Sequence, residues 1–234
     1  RDVMQLEVFV HGAMCISYSG RCLLSNYFTG RDANRGACTH PCRWEYAVME
    51  MSRDGDYLPI EENERGTFIM NSKDLCMIDR LDDLIAAGTD SLKIEGRMKS
   101  ALYVATVARA YRRALDLYFS DVNEYKACIP ELLEEVSSCT NRTFTRGFFY
   151  GRADESFMIY GESTYVTNYI YLGYVRGTKV IGGHTCYEMT QKNKFSIFDV
   201  VEVMRFSGDN ESFKVKGLFD EYGAPIDSVP HSTM

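Results

Sequence analysis

Cys15, Cys22, Cys38 and Cys42 crowd into the first 42 residues of a 234-residue chain, inside a stretch from 13 to 46 with no sustained hydrophobic period. A loop of that length, rich in Cys, Gly and Arg, is costly to order unless something cross-links it, and long loops that persist tend to be functional. The chain does not open on a basic n-region followed by an apolar h-region. Nor does any apolar run approach the ~18 residues that cross a bilayer. Thiols crowded in a chain without a secretory signal are expected in the reducing cytoplasm, where they bind metal or do redox work rather than form disulfides.

Cys15 and Cys22 are separated by six residues, Cys22 and Cys38 by fifteen, and Cys38 and Cys76 by thirty-seven. Four thiolates are what a 4Fe-4S cluster requires, because each iron takes three bridging sulfides and one further soft donor. Cys42 is a substitute ligand, and its closeness to Cys38 also suits a four-cysteine zinc site. Spacing alone leaves an iron-sulfur cluster, zinc and unconnected thiols all open. Cys128, Cys139 and Cys186 are isolated and read as unpaired structural thiols.

Leu6 to Val10 reads as a buried strand ending at Gly12. Ser72 reads as the N-cap of a helix over 73–87 closed by Gly88, and Ser91 to Ile94 as a strand broken by Gly96. In a helix over 101–119, Val104, Ala108, Tyr111, Leu115 and Tyr118 form one apolar stripe. This rhythm implies an α/β fold with a parallel sheet, the C-terminal part of a (βα) TIM-like barrel over residues 1–154. Residues 52–66 read as an exposed acidic segment. After Pro130 comes a short acidic helix, Glu131 to Val136, and then strands at 165–172, 195–203 and 213–219. These suggest a small antiparallel β-barrel domain over 155–234. Since residue 1 is Arg and a strand already starts near residue 6, the chain is expected to begin inside a longer protein.

A net charge of -7 argues against wholesale nucleic-acid coating. Yet Lys93, Arg97, Lys99, Arg109, Arg112 and Arg113 face one acid, Glu95, between positions 93 and 113. Such a basic face suits a specific anionic ligand, or is simply a solvated helix surface. Arg97 and Lys99 sit between a strand and a helix N-terminus, a seat for phosphate or carboxylate unless they merely cap the helix. Arg43 with Trp44 and Tyr46 offers a cation and aromatic surfaces for an RNA base, the alternative being that Trp44 packs in the core. Glu7 and His11 flank the first strand as outer-shell partners or as core residues. With no H-E-x-x-H or G-x-S-x-G pattern, a Cys15–His11 pair is the route left to a peptidase, and it competes with metal binding for the same thiol.

Glu7, Phe9, Gly12, Ala13, Met14, Cys15, Gly20, Cys22, Leu24 and Ser25 match every specified position of the pattern E-x-F-x-x-G-A-M-C, four residues, G-x-C-x-L-S. That pattern is the signature of peptidase family U32, which the chain resembles. RGACTHPCRWEY at 35–46, NSKDLCMID at 71–79, SLKIEGRMKS at 91–100 and QKNKFSIFDVVEVM at 191–204 are similar to its collagenase-like branch. The resemblance implies the barrel with its β-barrel appendage, a final strand beyond Met234, and a 4Fe-4S cluster whose first three ligands are Cys15, Cys22 and Cys38. For the fourth it leaves Cys76 or Cys42. It also implies an enzyme of RNA modification, one that installs 5-hydroxyuridine at the tRNA wobble position with prephenate as co-substrate and a paralogous subunit as partner. The family's historical label, peptidase, is the alternative. A third reading makes this region an RNA-binding module of a larger enzyme.

Overall fold

A computed structural model describes residues 4–15, 22–44, 47–49, 57–59, 72–151, 159, 166, 168–206 and 208–230. The chain divides into two compact units, Arg1–Asn168 and Tyr169–Met234.

In the first unit β1 (Glu7–Ala13) leads into α1 (Leu24–Thr29) and a short hairpin of β2 (Ala47–Met49) and β3 (Tyr57–Pro59). There follow β4 (Asp74–Cys76), α2 (Leu81–Ala86), β5 (Ser91–Ile94), α3 (Ala101–Ser120), α4 (Val122–Ser137) and β6 (Phe144–Thr145). Four strands make one sheet in the order β5-β1-β4-β6. β1 and β5 are parallel, as are β4 and β6, but β1 and β4 run antiparallel with His11 opposite Cys76. The sheet is therefore mixed, which corrects the expected parallel one. β1 and β4 are some sixty residues apart in sequence, so no short connection fixes their relative direction.

The helix expected over 73–87 is β4, then a 3-10 turn at Ile78–Arg80, then α2. Asp74, Leu75, Cys76, Met77 and Ile78 are all buried in succession. A strand covered on both faces permits that, while a surface helix would expose part of every turn. α3 starts as expected: the Ser100 hydroxyl accepts from the Tyr103 amide at 3.2 Å. Its buried face is Tyr103, Thr106, Val107, Ala110, Tyr111 and Ala114, and Val104 stays 43% exposed, so the expected stripe was rotated. The reason is that α3 lies between the sheet and α4 and must bury a broader arc than one stripe. The short helix expected over Glu131 to Val136 is the second half of α4, which runs through Pro130. Pro removes one bond from the helix ladder; burial of Tyr125, Leu132 and Val136 outweighs that loss.

Two tyrosines fasten the helices to the sheet. Tyr111 on α3 donates its hydroxyl proton to the Val10 carbonyl at 2.9 Å and accepts from the Met77 amide at 3.0 Å. Tyr125 on α4 donates to the Ile78 carbonyl at 2.8 Å and accepts from the Leu81 amide at 3.1 Å. Both phenols bond backbone groups at the point where β4 gives way to irregular chain, Tyr111 adding to the direct Met77–Val10 bond.

The second unit is built of antiparallel pairs. β7 (Gly173–Ile181) and β8 (His184–Gln191) form a hairpin across Gly182-Gly183. β9 (Phe195–Ser196) pairs with β14 (Ser228–Val229), β10 (Val200–Val203) with β11 (Glu211–Lys214), and β12 (Leu218–Phe219) with β13 (Pro225–Ile226). The strand expected over 195–203 changes partner midway. Ile197 bonds to Asp227, Phe198 takes a left-handed φ of 72°, and its amide bonds to Val215. In place of the strand expected at 165–172, the described residues show one bridge, Val166 with Asn141, and Tyr165 and Thr167 lie outside them. Among the described residues the strands of this unit pair two by two and neither unit closes into a barrel. No described helix is long and apolar enough to cross a membrane.

Candidate functional site

β1 carries His11 into the middle of the sheet, opposite Cys76 on β4 and Ile94 on β5. The chain can pass so close to its neighbour because of Gly12, whose φ of 138° is foreign to side-chain-bearing residues and where a Cβ would stand 2.7 Å from the Glu95 carbonyl oxygen. The His11 ring is fully buried among Tyr103, Tyr111 and Phe144, at centroid distances of 5.9, 5.6 and 5.5 Å. Among the described residues neither ring nitrogen has a hydrogen-bond partner. Burial first, and then the charge of Lys99, lowers its pKa to about 3, so the imidazole is neutral.

Beside it lies an ion pair. Asp74, with its side chain 1% exposed, stands 3.6 Å from the Lys99 ammonium, which also donates to the Thr140 carbonyl at 3.1 Å and lies 5.0 Å from the centre of the Tyr103 ring. The Tyr103 hydroxyl is buried without a hydrogen-bond partner, and burial followed by the Asp74 charge raises its pKa well above the usual phenol value. A buried polar group left unpaired costs about 1–3 kcal/mol. A neutral imidazole and a phenol orphaned next to one ion pair are an arrangement that a packed core has no use for. Together they can accept and donate a proton beside a fixed charge.

The sequence pointed to some of these residues and missed others. Lys99 turns inward to Asp74. Arg97 is exposed, its amide bonds to Glu95 at 2.8 Å, and its guanidinium lies so close over Gly36 that a Cβ there would collide with it. The Arg43 side chain, Tyr46 and His231 lie outside the described residues. Trp44 is 44% exposed, its ring tilted at 49° to that of Phe28 with centroids 5.7 Å apart, so it is not a core residue. Glu7 sits at the sheet edge, accepting from Ser91 at 3.0 Å, and takes no part in the centre. Asp74 and Tyr103 carried no sequence signal beyond the buried run and the helix face to which they belong. The basic face over 93–113 serves structure: Arg109 and Arg113 each pair with α4 acids, Glu135 and Glu131, at 2.7 Å.

No disulfide joins the described cysteines. Cys15 is exposed, Cys22 and Cys38 are half-buried, and Cys42 and Cys76 are buried. Burial pushes the Cys76 thiol up to about 11. Among the described residues no three His, Cys, Asp or Glu side chains gather as a metal-binding group. Cys22, Cys38 and Cys42 lie on the stretch of chain that follows β1. That stretch is tied locally: the Thr39 amide donates to the Ser25 hydroxyl at 3.0 Å, and the His40 amide donates to the Cys38 sulfur at 3.4 Å. A Cys15–His11 dyad is not formed, since His11 is enclosed and its nitrogens unpartnered while Cys15 is exposed.

Comparison with known proteins follows the same division. A profile described as "Peptidase family U32" matches residues 1–158, and one described as "Peptidase family U32 C-terminal domain" matches 167–234. The chain is 38% identical over 97% of its length to tRNA hydroxylation protein P1 of Bacillus subtilis, covering 53% of that protein. It is 34% identical over 97% of its length to tRNA hydroxylation protein P of Escherichia coli, covering 57%. A protein named collagenase from Porphyromonas gingivalis is 36% identical over 64% of the chain, covering 34% of that protein. The chain thus spans about half the length of the tRNA hydroxylation proteins it matches. No solved structure matches significantly.

Proposed function

The chain belongs to peptidase family U32, and from that membership we propose that it is part of an enzyme that hydroxylates tRNA, at the 5 position of the wobble uridine and with prephenate as co-substrate. The observation that carries this reading is the end-to-end likeness of the chain to proteins named for tRNA hydroxylation. The buried centre supports it, because a hydroxylation moves protons and the centre offers a neutral imidazole at His11, a phenol at Tyr103 and the Asp74–Lys99 pair. The parallel β1–β5 pair, with α3 following β5, is read as part of a (βα) barrel, from which the antiparallel β1–β4 pair departs.

The cofactor belongs to the same proposal. A 4Fe-4S cluster on Cys15, Cys22, Cys38 and either Cys76 or Cys42 is supported by the signature that spans the first two thiols. The amide already aimed at the Cys38 sulfur is of the kind that tunes such clusters. Protein purified without oxygen is expected to be brown and to contain both iron and acid-labile sulfide; colourless protein with stoichiometric zinc would replace the cluster by a zinc site.

Nucleoside analysis of tRNA from a strain lacking the gene tests the activity. Loss of 5-hydroxyuridine derivatives is expected, and unchanged levels reject the reading. The likeness to a collagenase keeps one second reading, proteolysis. Gelatin cleavage that disappears on Cys15→Ala would favour it.

A further inference from the structure

Away from the buried centre, an open cleft of about 450 Å³ is lined by Arg80, Arg146 and Tyr150. That volume lies within the roughly 300–1,000 Å³ range of small-ligand sites. The cleft adjoins the turn that follows β6, Arg146-Gly147-Phe148-Phe149-Tyr150. The turn is anchored from below, because a Cβ at Gly147 would meet Leu75 at 3.1 Å and Met14 at 3.3 Å. Met14 directly precedes Cys15, so the turn leaves the core beside the exposed first thiol of the signature.

Three consecutive aromatic side chains then stand in solvent: Phe148 is 67%, Phe149 40% and Tyr150 61% exposed. Burial on folding does not account for them. Both arginines contact one carboxylate, Asp79, by the Arg146 ion pair and by Arg80 at 3.7 Å. The Asp79 side chain is only 10% exposed, whereas those of Arg80 and Arg146 are 49% and 40% exposed, so the carboxylate lies beneath and the cations face outward. The Arg80 guanidinium is 5.9 Å from the centre of the Tyr150 ring. The opposing charge at the rim is Asp83, which accepts the Tyr150 hydroxyl proton. Arg146 Nε and Asp79 Oδ1 are buried without hydrogen-bond partners, leaving polar capacity in the floor.

We propose that this cleft and turn bind an unpaired segment of RNA, with bases stacked on Tyr150, Phe148 and Phe149 and a phosphate held by Arg80 and Arg146. Aromatic faces interleaved with guanidinium planes are the surface that single-stranded RNA recognition uses. A protein partner would cover the rings but leave the cleft and its outward cations without a role. The proposal rests on the tRNA reading above and names where that substrate is gripped.

Full-length protein, titrated with an unmodified tRNA transcript and with a short oligouridylate over a range of salt concentrations, tests it by fluorescence anisotropy. Phe148→Ala is expected to weaken binding about 5- to 100-fold. Arg80→Gln should weaken it and flatten the salt dependence by about one phosphate contact. If the parent protein binds neither RNA, the tRNA reading itself fails. Parent binding that both variants retain within about twofold overturns the cleft as the RNA site and leaves the tRNA reading standing. Retained RNA binding together with lost self-association in Phe148→Ala would likewise overturn it, identifying the surface as a protein interface.

Discussion

At the scale of single residues, burial decides what each polar group does. Tyr125 is fully buried, and its hydroxyl satisfies Ile78 and Leu81 at once. Tyr125→Phe keeps the packing but strands both backbone groups, and is expected to cost about 1–3 kcal/mol in urea denaturation; an unchanged midpoint would show that water takes over the bonds. His11 gives a pH dependence of definite sign. Its folded pKa near 3 lies below the unfolded value of 6.5, so the unfolded chain takes up the proton first as pH falls. Its contribution to stability is complete above 6.5 and declines as pH drops toward 3. The groups around it are Lys99, Asp74, Cys76, Tyr103 and Tyr111, and none is a carboxylate bonded to the ring. Between about pH 7 and pH 5 the parent protein should lose more stability than His11→Phe, and parallel curves would refute this. Lys99 and His11 were legible as residues of interest, because they sit on a recognisable motif and at a strand-to-helix turn. That Lys99 points inward was not legible, since only the fold brings Asp74 to meet it.

At the scale of elements, the sequence was most readable where one local rule dominated. Apolar positions recurring over 101–119 placed α3 correctly, and Leu6 to Val10 named the core of β1. It was least readable where tertiary burial overrode a local rule: Pro130 inside α4, the buried run that is β4 rather than a helix, and the partner change at Phe198. Gly12 joins the two levels, as a family-signature position whose physical reason is the Glu95 carbonyl against it. Gly12→Ala must either strain φ or push β5 from β1, and should destabilise the first unit by on the order of 1–3 kcal/mol. Thermal unfolding measures it, and a variant as stable as the parent would contradict the close approach.

At the scale of the whole molecule, the mixed α/β first unit and the antiparallel second unit were both foreseeable from pattern and from the family signature. The strand order was not, because register and direction across a long loop leave no local trace. In the basic stretch over 93–113, read as a ligand face or a solvated helix surface, Arg109 and Arg113 join α3 to α4, since charge count along a chain does not tell which charges will meet. What the molecule does depends on one claim, that the signature thiols and the tRNA substrate belong to one enzyme. The most direct test restores the full-length gene, with and without Cys15→Ser, to a strain lacking it, and quantifies 5-hydroxyuridine derivatives in tRNA by mass spectrometry. The account expects the parent gene to restore the modification and the variant to leave it absent at equal protein level; full restoration by the variant, or none by the parent, would contradict it.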